Sequence, residues 1–227
     1  MAKKQKGSAR TTLEEVNESL STAAQRIEAN QKYIYYALAA IAVVVLLVMG
    51  YIYGVRNPNL QKAKDEIAKA DMAYLQGDTV NALKEYEKVF DSYSNKPAER
   101  AAFNAAIILY QQGKNKEAAA YLEKYDPEGN MVGPASQSLL GDCYVNMKQY
   151  HKAISAYDKA IKLAGDNVFY TPTFMIKKAT VLHAQKKYTD EAALYQVIKD
   201  KYYQYTQAYQ FNVDKYIERA NAMAGKE

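Results

Sequence analysis

The sequence predicts an all-α protein: an N-terminal transmembrane helix, then a right-handed α-solenoid of about four helix pairs and a C-terminal capping helix. Three observations support this prediction. An unbroken apolar run covers residues 33–53. After it, apolar residues recur at helical spacing with no period-two strand pattern. Small residues twelve positions apart then recur in units of about 35 residues, which is typical of a repeat protein.

The segment before the apolar run divides into two parts. Residues 1–10 are basic and are expected to form a disordered tail. Residues 11–32 are predicted to form an amphipathic helix, because Thr12 and Glu15 have the spacing of a capping box. The helix is interpreted either as a partner-binding segment or as a helix that lies on the membrane surface. Its apolar seam consists of Leu13, Val16, Leu20, Ala23 and Ile27.

The apolar run at 33–53 is predicted to span a membrane once. At a rise of 1.5 Å per residue it is about 31 Å long, close to the ~30 Å hydrocarbon core of a bilayer. No charged residue interrupts it, and tyrosines stand at both ends, as in the aromatic belts of membrane interfaces. A long polar segment precedes the run, which argues against a cleaved signal peptide. A buried core helix is the alternative.

The flanking charges leave two orientations open. The whole N-terminal tail carries six Lys and Arg residues, and four follow the run closely. Because long folded domains translocate largely regardless of their charge, the short tail is expected to decide, which places the tail inside and the domain outside. The opposite orientation is favoured by Arg56, Lys62, Lys64 and Lys69.

Residues 58–227 are predicted to form one repeat domain. Turn sequences divide it into units at about 63–96, 99–133, 134–167 and 172–202, followed by a cap at 204–222. The fourth unit is irregular, because Glu191 stands where a second small residue is expected. After residue 56 the chain has 23 Lys and Arg against 21 Asp and Glu, a balance that gives no electrostatic footprint for nucleic acid.

The unit at 134–167 resembles the tetratricopeptide repeat. The resemblance rests on the spacing of Leu140, Gly141 and Tyr144 in its first half and of Ala153, Tyr157 and Ala160 in its second. It implies that small residues let the two helices of each unit cross closely, while large residues fill the layer around them. The residues expected at these crossings are Ala70, Ala82, Ala106, Ala118, Gly141, Ala153, Tyr157 and Ala160.

The resemblance also implies a concave groove lined by the first helix of each unit, which would hold an extended peptide or a partner helix. The residues at these groove positions are a mixture of apolar and acidic types. They include no cluster of Lys, Asn and Arg of the kind that clamps a terminal carboxylate, so such a clamp is not expected. The residues expected to face the groove are Ile67, Asp71, Tyr74, Phe103, Ile107, Tyr110, Asp142, Val145, Ile176, Thr180 and His183.

No catalytic machinery is visible in the sequence. Phosphate-binding Gly-rich loops, paired-histidine zinc motifs, nucleophile elbows and carboxylate-rich calcium loops are missing at their required spacings. His151 is expected to be a solvated turn residue, and His183 either lines the groove or has a structural role. Cys143 is expected to be a buried thiol. The prediction is therefore a protein that is not an enzyme and takes no cofactor, metal or small-molecule substrate.

The complete arrangement resembles ancillary subunits of the bacterial Sec translocon: a polar tail with an amphipathic helix, one span, then a repeat domain. This resemblance implies an inner-membrane protein with a cytoplasmic N-terminus and a periplasmic repeat domain. Its expected partners are membrane lipid and proteins, namely translocon subunits, chaperones or unfolded chains. Two alternatives stay open: a structural scaffold for a membrane complex, and an anchored receptor with a cytosolic repeat domain, like those of mitochondrial import.

Overall fold

The structure is a computed structural model that describes residues 28–126 and 132–225. It divides into two compact units between Asn59 and Leu60. Throughout the described residues the regular structure is helical, without strands, which confirms the predicted all-α class. The predicted tail at 1–10 and most of the predicted helix at 11–32 lie outside the described residues.

The first unit contains α1 (Gln31–Tyr51), followed by a π-helical turn at Ile52–Arg56. No side chain of α1 is buried, and Leu46 and Leu47 are each 68% exposed. α1 belongs to the helical stretch Gln31–Leu75, the one stretch among the described residues that is long and apolar enough to cross a membrane.

The remaining helices form four antiparallel pairs and an end region, an α-solenoid of the predicted kind. The pairs are α2 (Asn57–Leu75) with α3 (Thr79–Ser92), α4 (Lys96–Gln111) with α5 (Asn115–Lys124), α6 (Gly133–Asn146) with α7 (Tyr150–Ala164), and α8 (Tyr170–Ala184) with α9 (Tyr188–Lys201). The end region contains α10 (Tyr203–Ala208) and α11 (Val213–Ala224).

Local chemistry sets several helix boundaries. The side chains of Asp78 and Asn95 cap α3 and α4, accepting hydrogen bonds from the backbone N–H groups of Asn81 and Ala98 at 3.1 and 3.2 Å. The turn inside each of the first two pairs contains a glycine with a left-handed backbone, Gly113 in the second.

The core is continuous between neighbouring pairs, as expected where each repeat contacts mainly its neighbours. One cluster joins the first two pairs, a second joins the second and third, and a third joins the last pair to α11. All eight predicted crossing residues are buried: Ala70, Ala82, Ala106, Ala118, Gly141, Ala153, Tyr157 and Ala160. At Gly141 a Cβ atom would lie only 2.5 Å from Cε1 of Tyr157.

The end of the solenoid differs from the single capping helix predicted at 204–222. The segment forms two helices, because Gln210 adopts a left-handed backbone (φ 48°) between them. The backbone N–H of Phe211 then donates to the carbonyl of Thr206 at 2.9 Å, and Asn212 caps α11. The Phe211 ring also stacks on Tyr216 at 4.9 Å, so aromatic packing stabilises the turn.

The irregular fourth pair accommodates Glu191 by pairing its charge. Glu191 is fully buried, and its Oε1 accepts a hydrogen bond from Nη2 of Arg219 at 2.6 Å. Its Oε2 lies 2.7 Å from Nδ1 of His183. A buried carboxylate needs such partners, since an unpaired buried charge is costly. The bond from Arg219 therefore ties α11 to the last helix pair.

Candidate protein-binding face of the repeat domain

An open cavity of about 320 Å³ lies between α2 and α4, the first helices of the first two pairs. Tyr86 of α3 reaches into it between the two helices. Tyr74 is 37% exposed and Leu75 is 79% exposed, so apolar surface borders the opening. The volume suits bulky side chains of a partner, and we call this the inner cavity. Its lining residues are Asp71, Tyr74, Leu75, Tyr86, Asn104 and Ile107.

The polar groups of the inner cavity are bonded to one another. The Tyr86 hydroxyl donates to Oδ1 of Asp71 at 2.7 Å, and Nη2 of Arg100 contacts Oδ2 of the same carboxylate at 2.7 Å. Burial, followed by the nearby Asp71 carboxylate, raises the pKa of Tyr86 well above its usual range. Tyr86 is therefore a protonated donor at neutral pH, and the charge of Asp71 is compensated within the chain.

The same arrangement recurs around Asp142, two helix pairs further along. The Tyr157 hydroxyl donates to Oδ1 of Asp142 at 2.7 Å, and Nζ of Lys177 lies 2.5 Å from Oδ2. In both cases the tyrosine comes from the second helix of the pair and the cation from the first helix of the next pair. Each aspartate thus joins neighbouring repeats. We call the surface formed by the first helices of the pairs, α2, α4, α6 and α8, the inner face; it includes the inner cavity and presents neutralised ion pairs to a partner.

The structure brings together several of the predicted groove residues. Asp71, Tyr74 and Ile107 line the inner cavity. Tyr110 and Asp142 lie close together further along the same face: burial first, then the Asp142 charge, raises the pKa of the Tyr110 hydroxyl.

Ile67 does not face the groove. Its side chain is 2% exposed and packs in the cluster that joins the first two pairs, so the prediction that it contacts a partner is wrong. The i, i+4 spacing placed it on the same face as Asp71, but the close approach of α3 and α4 covers it.

The other predicted groove residues are largely occupied by contacts within the domain. Phe103, Val145 and Ile176 are half-buried against the core clusters. Thr180 is exposed, and its hydroxyl donates to the carbonyl of Ile176 at 3.0 Å. His183 pairs with the buried Glu191. Apart from Thr180, these positions are less exposed than Tyr74.

Sequence reasoning missed several residues of this face. Tyr86, Leu75 and Asn104 line the inner cavity, and Arg100 and Lys177 neutralise the two aspartates. The sequence contains a signal for part of this set. Tyr86 follows Asp71 at the same spacing at which Tyr157 follows Asp142.

Neither a cluster of metal ligands nor an exposed thiol lies among the residues that the structure describes. In residues 28–126 and 132–225, no three His, Cys, Asp or Glu side chains are placed to hold a metal ion. Cys143 is fully buried, and burial raises the pKa of its thiol to about 12, which keeps it protonated and unreactive.

The fold and the inner face define an α-helical repeat domain consistent with a protein–protein interaction module. The chain belongs to the tetratricopeptide repeat-like domain family, whose model matches residues 57–182. No curated protein matches the sequence.

Solved structures share the fold at low sequence identity. The MamA protein is 17% identical over 72% of this chain and 88% of its own, with a TM-score of 0.55. The apo form of RapI is 16% identical over 74% of this chain and 54% of its own, with a TM-score of 0.54. The repeats of a putative kinesin light chain from Podosopora anserina are 14% identical over 73% of this chain and 96% of their own, with a TM-score of 0.50. These similarities concern the fold alone.

Proposed function

We propose that the protein is a membrane-anchored interaction module whose repeat domain binds a segment of a partner protein on its inner face. The observation that carries this proposal is the inner cavity, which is open, partly apolar and bordered by the exposed side chains of Tyr74 and Leu75. Tyrosine at such a site supplies a large contact area together with a polar group.

The chemistry of the face suggests which partner segment it takes. Arg100 and Lys177 are already engaged by Asp71 and Asp142, so neither cation is free to hold a terminal carboxylate. The cavity instead offers apolar walls and a hydroxyl. A segment that inserts bulky apolar side chains, as a helix or an extended chain, fits this surface best.

The anchor is proposed to be α1. A core helix would bury its apolar side chains, whereas those of α1 are exposed along its whole length. We further propose that α1 crosses a bacterial inner membrane with the tail in the cytoplasm and the repeat domain in the periplasm. There the domain would act beside the Sec translocon, contacting emerging chains or chaperones.

Site-specific photocrosslinking in cells tests the binding face. A photoreactive phenylalanine derivative replaces Tyr74, and the matched control replaces Tyr203, which is also exposed (64%) but lies on α10. We expect protein adducts from position 74 that are missing from position 203. Many unfolded chains among the adducts would support a chaperone-like role, and one fixed partner would support a scaffold. Equal adducts at both positions would refute the assignment of the face.

Cysteine labelling tests the orientation of the anchor. Because Cys143 is fully buried, single cysteines can be introduced into the natural chain without a competing thiol. Ser8→Cys reports on the tail and Ser94→Cys on the repeat domain. An impermeant maleimide added to intact spheroplasts should label position 94 only. Labelling of position 8 instead would establish the opposite orientation and exclude a periplasmic role.

A further inference from the structure

We infer that one edge of the repeat domain binds a bilayer surface that contains anionic phospholipid. The edge is formed by the turns inside the second, third and fourth helix pairs, and we call it the basic edge. This inference does not depend on the inner face, although its choice of partner rests on the proposed anchor. The lysines of the basic edge are Lys114, Lys116, Lys148, Lys152, Lys186 and Lys187.

The three turns form one continuous surface. Between the second and third pairs, Nδ2 of Asn146 donates to Oδ1 of Asn115 at 2.9 Å. Between the third and fourth pairs, Gln185 lines the same open cleft as Lys148 and Lys152. The cleft has a volume of about 570 Å³, and His151 also lines it. Lysines that are far apart in the sequence therefore share one edge of the molecule.

The positive charge of the basic edge is not compensated within the described structure. All six lysines are exposed, and none forms an ion pair with a described residue. Lys152 instead lies 5.2 Å from the centre of the Tyr144 ring. Three acidic residues stand in the first turns of the helices that follow. Of these, Glu191 is buried and bonded to Arg219, which leaves Glu117 and Asp190 beside the lysines.

Other parts of the domain differ in charge. The turn of the first pair carries Asp78, which caps α3. The opposite edge, where successive pairs are joined, mixes signs, with Asp166 and Asp200 beside Lys162 and Lys201. The near-balanced domain is thus polarised, and its positive end is the basic edge.

The backbone places two lysines of the basic edge at left-handed turn positions. Lys148 and Lys186 adopt left-handed backbones, with φ values of 59° and 60°. In the first two pairs the corresponding positions are Gly77 and Gly113, which accept this conformation at lower cost. Two lysines therefore occupy positions that local backbone preference assigns to glycine.

An anionic bilayer fits these observations better than a nucleic acid. The lysines are spread along an edge as separate point charges, which suits the diffuse charge of a lipid surface. Tyr150, the tyrosine that lines the cleft, is half-buried, so its ring offers no open platform for stacking bases. In the sequence, the repeat domain follows the proposed span closely, so the chain is tethered to a bilayer.

The test uses the full chain with Gln149→Trp in the cleft, because the natural chain has no tryptophan. The protein is reconstituted in lipid nanodiscs that contain a headgroup spin label, which quenches indole fluorescence on contact. One set of discs is phosphatidylcholine, and the other also contains phosphatidylglycerol. We expect stronger quenching in the anionic discs and its reversal at high salt, which screens surface charge.

Two triple variants with the same change in net charge sharpen the test. Lys116→Gln, Lys152→Gln and Lys187→Gln should together lower the docked-to-free ratio roughly a hundredfold, since one lysine near an anionic surface contributes about fivefold. The control changes three exposed lysines away from the basic edge, Lys159, Lys162 and Lys201, to glutamine. It should retain quenching, and circular dichroism verifies that both variants fold.

Three results would overturn the inference. The first is equal quenching in both disc types, and the second is an equal loss of quenching in both triple variants. The third is binding of a single-stranded oligonucleotide at this edge without lipid-dependent quenching. Failure of the chain to enter either disc would refute the anchor separately. In that case flotation of the same variants with vesicles of the two compositions tests the basic edge, with the same results expected.

Discussion

Replacement of Gly141 by alanine is expected to destabilise the repeat domain, although alanine is the better helix former. The added Cβ would lie 2.5 Å from Cε1, 2.7 Å from Cδ1 and 2.9 Å from Cζ of Tyr157. Because ordinary carbon contacts are about 3.5–4.0 Å, the Tyr157 ring must move by about 1 Å. The ring is 2% exposed, and its hydroxyl donates to Asp142 at 2.7 Å, so it has little freedom to move.

The magnitude follows from three effects. Overpacking of a core costs about 1–3 kcal/mol. The ring movement is also expected to break the hydrogen bond to the Asp142 carboxylate, whose loss costs about 1.5–3 kcal/mol. The helix preference of alanine over glycine offsets about 1 kcal/mol. We therefore expect the free energy of unfolding to fall by roughly 1.5–5 kcal/mol.

Urea unfolding of the full chain in detergent micelles, followed by circular dichroism, measures this effect. A double-mutant cycle with Tyr157→Leu isolates the contact, because the smaller side chain makes room for the Cβ. The cost of the double variant should be clearly less than the sum of the single costs. The control is Ala70→Gly in the first pair, expected to cost about 2 kcal/mol through helix propensity and the loss of a buried methyl group. A neutral or stabilising Gly141→Ala, or an additive cycle, would refute the reasoning.

Three further predictions concern the end of the solenoid and the buried titrating groups. Glu191→Gln should lower the free energy of unfolding by about 1–2 kcal/mol, because the ion pair with the partly exposed Arg219 is lost. Amide hydrogen exchange in residues 213–224 should also become faster. Unchanged exchange there would contradict the link between α11 and the last pair. Cys143 should react with maleimide only after urea unfolding, since burial raises its pKa to about 12, and mass spectrometry of the folded chain should show no adduct. Burial raises the pKa of Tyr121 and Tyr195 from 10.0 to about 12. Between these pH values the folded state therefore binds more protons than the unfolded state, and the urea midpoint of unfolding should fall as the pH rises from 10 to 12. A constant midpoint would disprove this.

Much of the fold was predictable because its signals are local and periodic. The turns at Gly77 and Gly113 and the helical spacing of apolar residues depend on neighbours in the sequence. The repeat family followed from the spacing of small residues, since close helix crossings require them at regular intervals. Length and apolar composition likewise sufficed to indicate a candidate span at α1.

The candidate binding face was predicted less completely, because exposure depends on elements that are distant in sequence. Ile67 and Asp71 lie on one face of α2. However, α3 and α4 cover Ile67, whereas Asp71 lines the inner cavity. Arg100 pairs with Asp71 only through the packing of α4 against α2. Helical periodicity identifies a face, but it does not reveal how far the next helix extends over it.

The sequence alone established an all-α repeat chain with one apolar segment, since helix periodicity, close crossings and apolar length are properties of the linear order of residues. The tertiary structure decided which side chains stay free, how Glu191 is neutralised by Arg219, and that the end region forms two helices. It also gathered the scattered lysines of a nearly charge-balanced domain onto one edge. Burial, ion pairing and surface potential are sums over neighbours in space, and in a solenoid those neighbours come from different repeats.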